Sequence, residues 1–134
     1  MIDIESDVYD TVATALRAAH AGIFTASEDT PAPPKLPAVS IVEADNRVFE
    51  RMRTENIENA ASVMYEVNIY SNKASGGKTE AKAIAATADA AFTSIGFTRT
   101  LMNQVPNFND AKIYRIVCRY EADIDKDFWI YQKG

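Results

Sequence analysis

Five consecutive residues, Ser75-Gly76-Gly77-Lys78-Thr79, carry the side chains that a phosphate-cradling loop uses. They follow a β-rich run and open a helical one. In such a loop the first backbone N–H groups of the helix face the phosphate, the Lys reaches it, and the hydroxyl ligates magnesium. The full pattern also needs a glycine five positions before Gly77, and that position is Asn72. No apolar strand ending in Asp offers a second magnesium ligand. The stretch therefore reads as a Gly-rich turn with Lys78 and Thr79 in a first helical turn. A small nucleotide-binding enzyme is the reading that an intact pattern would have favoured.

The other reactive side chains are isolated. His20 and Cys118 are the single His and Cys. They cannot assemble the usual Cys/His zinc sets, and Cys118 has no partner for an internal disulfide. Any triad would have to use His20, which sits at the end of a helical pattern. Cys118 falls on the apolar side of a strand pattern and reads as a small buried hydrophobe. Asp123, Asp125 and Asp127 are spaced like calcium ligands, but the glycine and the distant Glu of an EF-hand loop are missing. They read as a solvated acidic turn. No cofactor, no metal and no enzymatic activity are expected.

These residues sit in a chain of 134 residues with 19 Asp+Glu against 14 Lys+Arg, a net charge of −5 and a pI near 4.8. The length is that of one domain spanning residues 1–134. The acidic balance argues against a general nucleic-acid binder, which needs a basic footprint. The chain has no apolar run of about 18 residues. Its start, Met1-Ile2-Asp3-Ile4-Glu5-Ser6-Asp7, is acidic where a signal peptide is basic.

Periodicity supplies the elements. Ile4, Val8, Val12, Leu16 and Ala19 form one helical stripe, with Ser6 as a candidate N-cap and Gly22 as the stop. Ile23-Phe24-Thr25 suggests a short strand. Four of the five prolines lie in residues 26–37, an extended connector or an arm toward a neighbouring subunit. Residues 38–43 read as a strand and Asp45-Asn46 as a turn. Residues 62–70 alternate most cleanly, with Val63, Tyr65, Val67 and Ile69 on one face. Residues 78–95 form a second helix, whose stripe of Ala81, Ile84, Ala85, Ala88, Phe92 and Ile95 is small enough to sit close to a sheet. Residues 97–102 and 111–122 read as strands, the second with Tyr114, Ile116, Cys118, Tyr120 and Ala122 on one face. Residues 103–110 read as a loop. Residues 128–131 read as a short closing strand. The expected fold is α+β: one mixed or antiparallel sheet of four to six strands with two helices packed on one face.

Two segments carry a resemblance. The first is Val63-Met64-Tyr65-Glu66-Val67-Asn68-Ile69-Tyr70-Ser71-Asn72-Lys73 running into Gly77-Lys78-Thr79-Glu80-Ala81-Lys82-Ala83-Ile84. The second is Gly96-Phe97-Thr98-Arg99, followed by Pro106-Asn107-Phe108-Asn109-Asp110-Ala111-Lys112-Ile113-Tyr114-Arg115. With Leu36-Pro37-Ala38-Val39-Ser40-Ile41 before them, they resemble the tail-terminator, or tail-to-head joining, proteins of long-tailed bacteriophages. Related sequences are often labelled minor capsid proteins. The likeness spans residues 37–131 and contains no catalytic signature.

The resemblance implies a small subunit that assembles as a homo-oligomeric ring, a hexamer. The ring ends the tail tube and joins the tube protein to the head connector. It implies assembly in the bacterial host cytoplasm and a place in the virion neck, with no membrane contact and with DNA only passing through. A head-completion or stopper protein of the same neck is the alternative. Candidate contacts are Arg47, Phe49, Arg51 and Arg53 on a charge-dense arm that is either a solvated sheet edge or an inter-subunit surface. Asn107 and Phe108 in a loop, and Phe128, Trp129 and Tyr131 near the end of the chain, complete the set.

Overall fold

The computed structural model describes residues 2–29, 33–48, 60–73, 75–106, 112–125 and 130–131. Helix α1 (Glu5–Ala19) and helix α2 (Gly77–Ser94) pack against one sheet. Its strands are β1 (Phe24–Ala26), β2 (Ala38–Val48), β3 (Ala60–Ser71), β4 (Thr98–Val105), β5 (Tyr114–Asp125) and β6 (Ile130–Tyr131). The spatial order is β1-β2-β3-β5-β4, with β6 paired to β5. β1 runs parallel to β2 and every other pairing is antiparallel. The sheet is therefore mixed, and the fold is the expected α+β class.

β5 inserts between β3 and β4, which run in the same sense with α2 as their crossover. The central pair carries the core. Val63, Tyr65, Val67 and Ile69 on β3 face the helices beside Ile116, Cys118, Tyr120, Ala122 and Ile124 on β5, and all are buried. Helix α1 adds Val8, Val12, Ala13 and Leu16, and α2 adds Ala81, Ile84, Ala85, Ala88, Ala91 and Phe92. Phe92 stacks on Tyr120 at 4.2 Å between ring centroids and meets Tyr65 and Phe97 at 5.9 and 5.4 Å. The alanines around it bring α2 close enough for that stack.

Several local expectations change. Ser6 lies inside α1, and the Asp3 carboxylate accepts the Glu5 N–H at 3.1 Å instead. That puts negative charge at the helix N-terminus, where the dipole favours it. Ala19 is exposed, because α1 ends before the stripe returns to the core. Asp45-Asn46 is not a turn: β2 continues to Val48 through a bulge between Glu43 and Asp45, and the Asn46 amide donates to the Ile2 carbonyl at 2.8 Å. The bulge absorbs one residue and keeps the pairing with β3. β4 extends to Val105, so Asn103 and Gln104 belong to a strand. β5 extends to Asp125, since Ile124 is fully buried and holds the alternation through the acidic residues. Gly22 and Gly96 close their helices with φ of +80° and +90°, the left-handed geometry expected of helix-ending glycines.

Candidate functional site

The edge strand β4 is the most open element of the sheet. Only Leu101 and Val105 are half-buried along its eight residues. Among the described residues it pairs with β5 alone, so its outer N–H and C=O groups face away from the sheet. Such an edge is a template for another chain unless charge, a bulge or a cover blocks it. One bulge lies between Arg99 and Leu101.

Beside this edge α2 leaves two adjoining clefts. One, of about 690 Å³, is lined by Ala85, Ala86, Ala90, Lys82, Asp89, Arg99 and Met102, with Thr93 and Ser94. The other, of about 340 Å³, is lined by Lys78, Lys82, Met102, Asn103, Gln104, Tyr114 and Ile116. Met102 is the one large hydrophobic residue that stands exposed among the described residues, at 37%. The register puts Arg99 and Met102 opposite Tyr120 and Cys118, on the helix side of the sheet. Arg99 reaches Asp89 at 3.4 Å, and the Tyr120 hydroxyl donates to the same carboxylate at 3.0 Å. This network fixes the floor of the larger cleft and leaves Lys82 exposed at its rim, with the exposed Lys78 in the adjoining smaller cleft.

The opposite end of the sheet has a contrasting cleft of about 260 Å³, lined by Asp3, Glu5, Ser6, Tyr9 and Ser27. α1 is tied to β1 there. The Tyr9 hydroxyl shares a hydrogen bond with Thr25 Oγ1 at 2.9 Å, and Arg17 donates to the same oxygen at 2.9 Å. Next to it the Tyr65 hydroxyl donates to Glu43 Oε1 at 3.3 Å. Burial, and then the nearby Glu5 carboxylate, push the Glu43 carboxyl above the usual carboxylate range. Burial followed by Glu43 itself pushes the Tyr65 phenol up strongly.

The Gly-rich turn has a structural job. Gly76 adopts φ +88° and precedes α2, whose first turn holds Gly77, Lys78 and Thr79. The Ser71 hydroxyl at the end of β3 donates to Glu80 Oε1 at 2.6 Å. A carboxylate thus already stands in the first turns, where the helix dipole favours a negative charge. Lys78 and Thr79 are exposed. His20 is half-buried, with Nε2 2.8 Å from Thr87 Oγ1, and it ties α1 to α2. Cys118 is buried, and burial raises its thiol pKa, which disfavours the reactive thiolate.

Of the residues expected to make contacts, Arg47 is exposed near the end of β2 and pairs with Asp45 at 3.0 Å. Tyr131 is in β6, opposite Asp123. Phe49, Arg51, Arg53, Asn107, Phe108, Phe128 and Trp129 lie outside the described residues. The β4 edge and its clefts were not singled out from the sequence. Their signal was available as Lys82, Ala86 and Ala90 at i, i+4 spacing, a second helical line beside the apolar stripe of α2.

No helix among the described residues is long and apolar enough to cross a membrane. No family model matches the chain, and no curated protein matches its sequence.

Proposed function

We propose that this chain is a structural subunit of a long-tailed bacteriophage. It assembles as a ring that ends the tail tube and joins the tail to the head connector, as its resemblance to tail-terminator proteins over residues 37–131 implies. The observation that supports the reading is the open β4 edge with its clefts, a surface suited to pairing with another protein chain. A ring subunit needs two different surfaces that meet head to tail and close by rotation. Among the described residues the sheet has two unlike edges, β1 and β4. In this role the tube protein and the connector bind the two faces of the ring, and DNA passes through it without being gripped.

The test is placement and phenotype. Native mass and negative-stain images of the protein with tail tubes are expected to give a ring at the tube end. Deleting the gene is expected to give overlong tails. DNA-leaking heads with normal tails would instead identify a stopper of the same neck, and a protein that never forms rings beside tubes would overturn the reading.

A further inference from the structure

We infer that the ring contact joins the basic α2/β4 edge of one copy to the acidic α1/β1 edge of the next. The inference rests on the ring-forming reading above and names its interface. Charge is the first ground. Residues 2–48 carry eight acidic and three basic side chains, whereas α2 and β4 with the residues between them, 77–105, carry three basic (Lys78, Lys82, Arg99) and two acidic (Glu80, Asp89). The fold sends these two stretches to opposite ends of the sheet, α1, β1 and β2 to one and α2 and β4 to the other. A net charge of −5 thus conceals a polarised molecule.

The clefts repeat this polarity locally. Lys78 and Lys82 line the smaller cleft beside β4, and Lys82 continues into the larger one, where Arg99 is paired with Asp89. Asp3 and Glu5 line the cleft beside β1, and the exposed Asp10 stands one helical turn beyond Ser6 of that cleft. Complementary potentials of this kind orient an encounter and select one pairing over others.

Strand sense is the second ground. β1 runs with β2, and each later neighbour reverses, so the two sheet edges run in opposite senses. A second copy beside the first in the same orientation presents its β1 edge antiparallel to β4. β1 has only three residues, so any ladder is short. The charged side chains and the exposed Met102 carry most of the contact. A β4-to-β4 pairing would instead bring Lys78 and Lys82 against their own copies, which like charge opposes.

The test is a charge swap. One variant carries Lys78→Glu and Lys82→Glu, which makes both edges acidic. The other carries Glu5→Lys and Asp10→Lys, which makes both edges basic. These side chains lie outside the buried core, and circular dichroism verifies that each variant folds. Native mass spectrometry and light scattering at low salt are expected to show the wild-type oligomer and neither variant oligomer. An equimolar mixture is expected to restore an oligomer of alternating variants. Raised salt is expected to weaken the wild-type oligomer, because exposed charges are screened over about 10 Å at 0.1 M. If the wild type forms rings and each folded variant alone does as well, the interface is wrong and the ring reading stands. If both variants lose the ring and the mixture fails to restore it, complementary pairing of these edges is wrong. If the wild type stays monomeric even with tail tubes, the ring reading falls and the interface with it.

Discussion

Replacing Phe92 by Ala tests how α2 is seated on the sheet and hence how the β4 clefts keep their shape. Phe92 has no solvent exposure and contacts three aromatic rings, with Tyr120 stacked at 7° between planes and Phe97 edge-on at 71°. Large-to-small changes at such a site cost about 3–5 kcal/mol through lost transfer energy and the cavity left behind. The aromatic pairs, each worth about 0.5–1.5 kcal/mol beyond area burial, favour the upper half of that range. We therefore expect a loss of about 4 kcal/mol, a large fraction of the roughly 5–15 kcal/mol that holds a domain folded. For a chain of 134 residues the unfolding entropy is about 0.3 kcal/mol/K, so the melting temperature falls by about 13–15 °C. Urea unfolding followed by circular dichroism, with scanning calorimetry, measures both. Phe92→Leu fills most of the space and is expected to cost about 1.5 kcal/mol or less. A loss below about 1.5 kcal/mol for Phe92→Ala would mean that the ring cluster is not the closed contact described, and the seating argument would fail.

Further outcomes follow from single side chains. Among the described residues the buried Tyr70 hydroxyl has no hydrogen-bond partner, so Tyr70→Phe is expected to leave stability unchanged or raise it by about 1 kcal/mol, read by urea denaturation. Gly76→Ala is expected to cost about 1 kcal/mol: the added Cβ meets nothing within 4 Å, and the loss comes from φ +88° alone. Ser71→Ala removes the donor to the half-buried Glu80 carboxylate and is expected to cost about 1–3 kcal/mol. Glu43 binds its proton more tightly in the folded state than in the unfolded chain, because burial and Glu5 raise its pKa. Stability from this group is thus present at low pH and is lost as pH rises from the ordinary carboxylate range through the raised folded value. Glu43→Gln, which keeps an acceptor for Tyr65, is expected to flatten that slope and to be at least as stable as wild type at neutral pH.

What the sequence shows of this fold depends on which residues obey a period. β3 and β5 were legible because Val63, Tyr65, Val67 and Ile69, and Ile116, Cys118, Tyr120 and Ala122, sit on a buried face at period two. α2 was legible for the same reason at period 3.6. The ends of the strands were less visible. Asp45, Asn46, Asp123 and Asp125 have turn chemistry, yet each lies within a strand whose register is held by buried neighbours. β4 shows almost no alternation in burial, so its full length is fixed by pairing with β5 rather than by its own residues. Neighbour order was not read from the sequence. β4 precedes β5 in the chain, and the signal that gives β5 the inner place lies only in comparing the two strands, apolar alternation in β5 against polar residues in β4.

That insertion creates the surface on which the functional reading rests. If β4 lay beside β3, α2 would join adjacent strands, and β5, with Ile116, Cys118, Tyr120 and Ile124 buried, would be left at the edge. Its apolar side chains would then lose cover on one flank. With β5 inside, the strand left at the edge is the one whose residues tolerate water: Thr98, Arg99, Thr100, Asn103 and Gln104. Burial energy thus selects the strand order, since fully burying one such apolar side chain is worth about 1.5–3 kcal/mol. The same selection leaves an open ladder next to Lys78 and Lys82. The residues that make β4 a poor inner strand are those that make it available to another chain. Substituting Leu or Val at Thr98 and Thr100 is therefore expected to add sticky edge surface without adding core. On this argument the variants gain salt-resistant aggregation, read by light scattering, and no more than about 0.5 kcal/mol of stability. A gain of more than about 1.5 kcal/mol would show that the edge is already covered by its own chain.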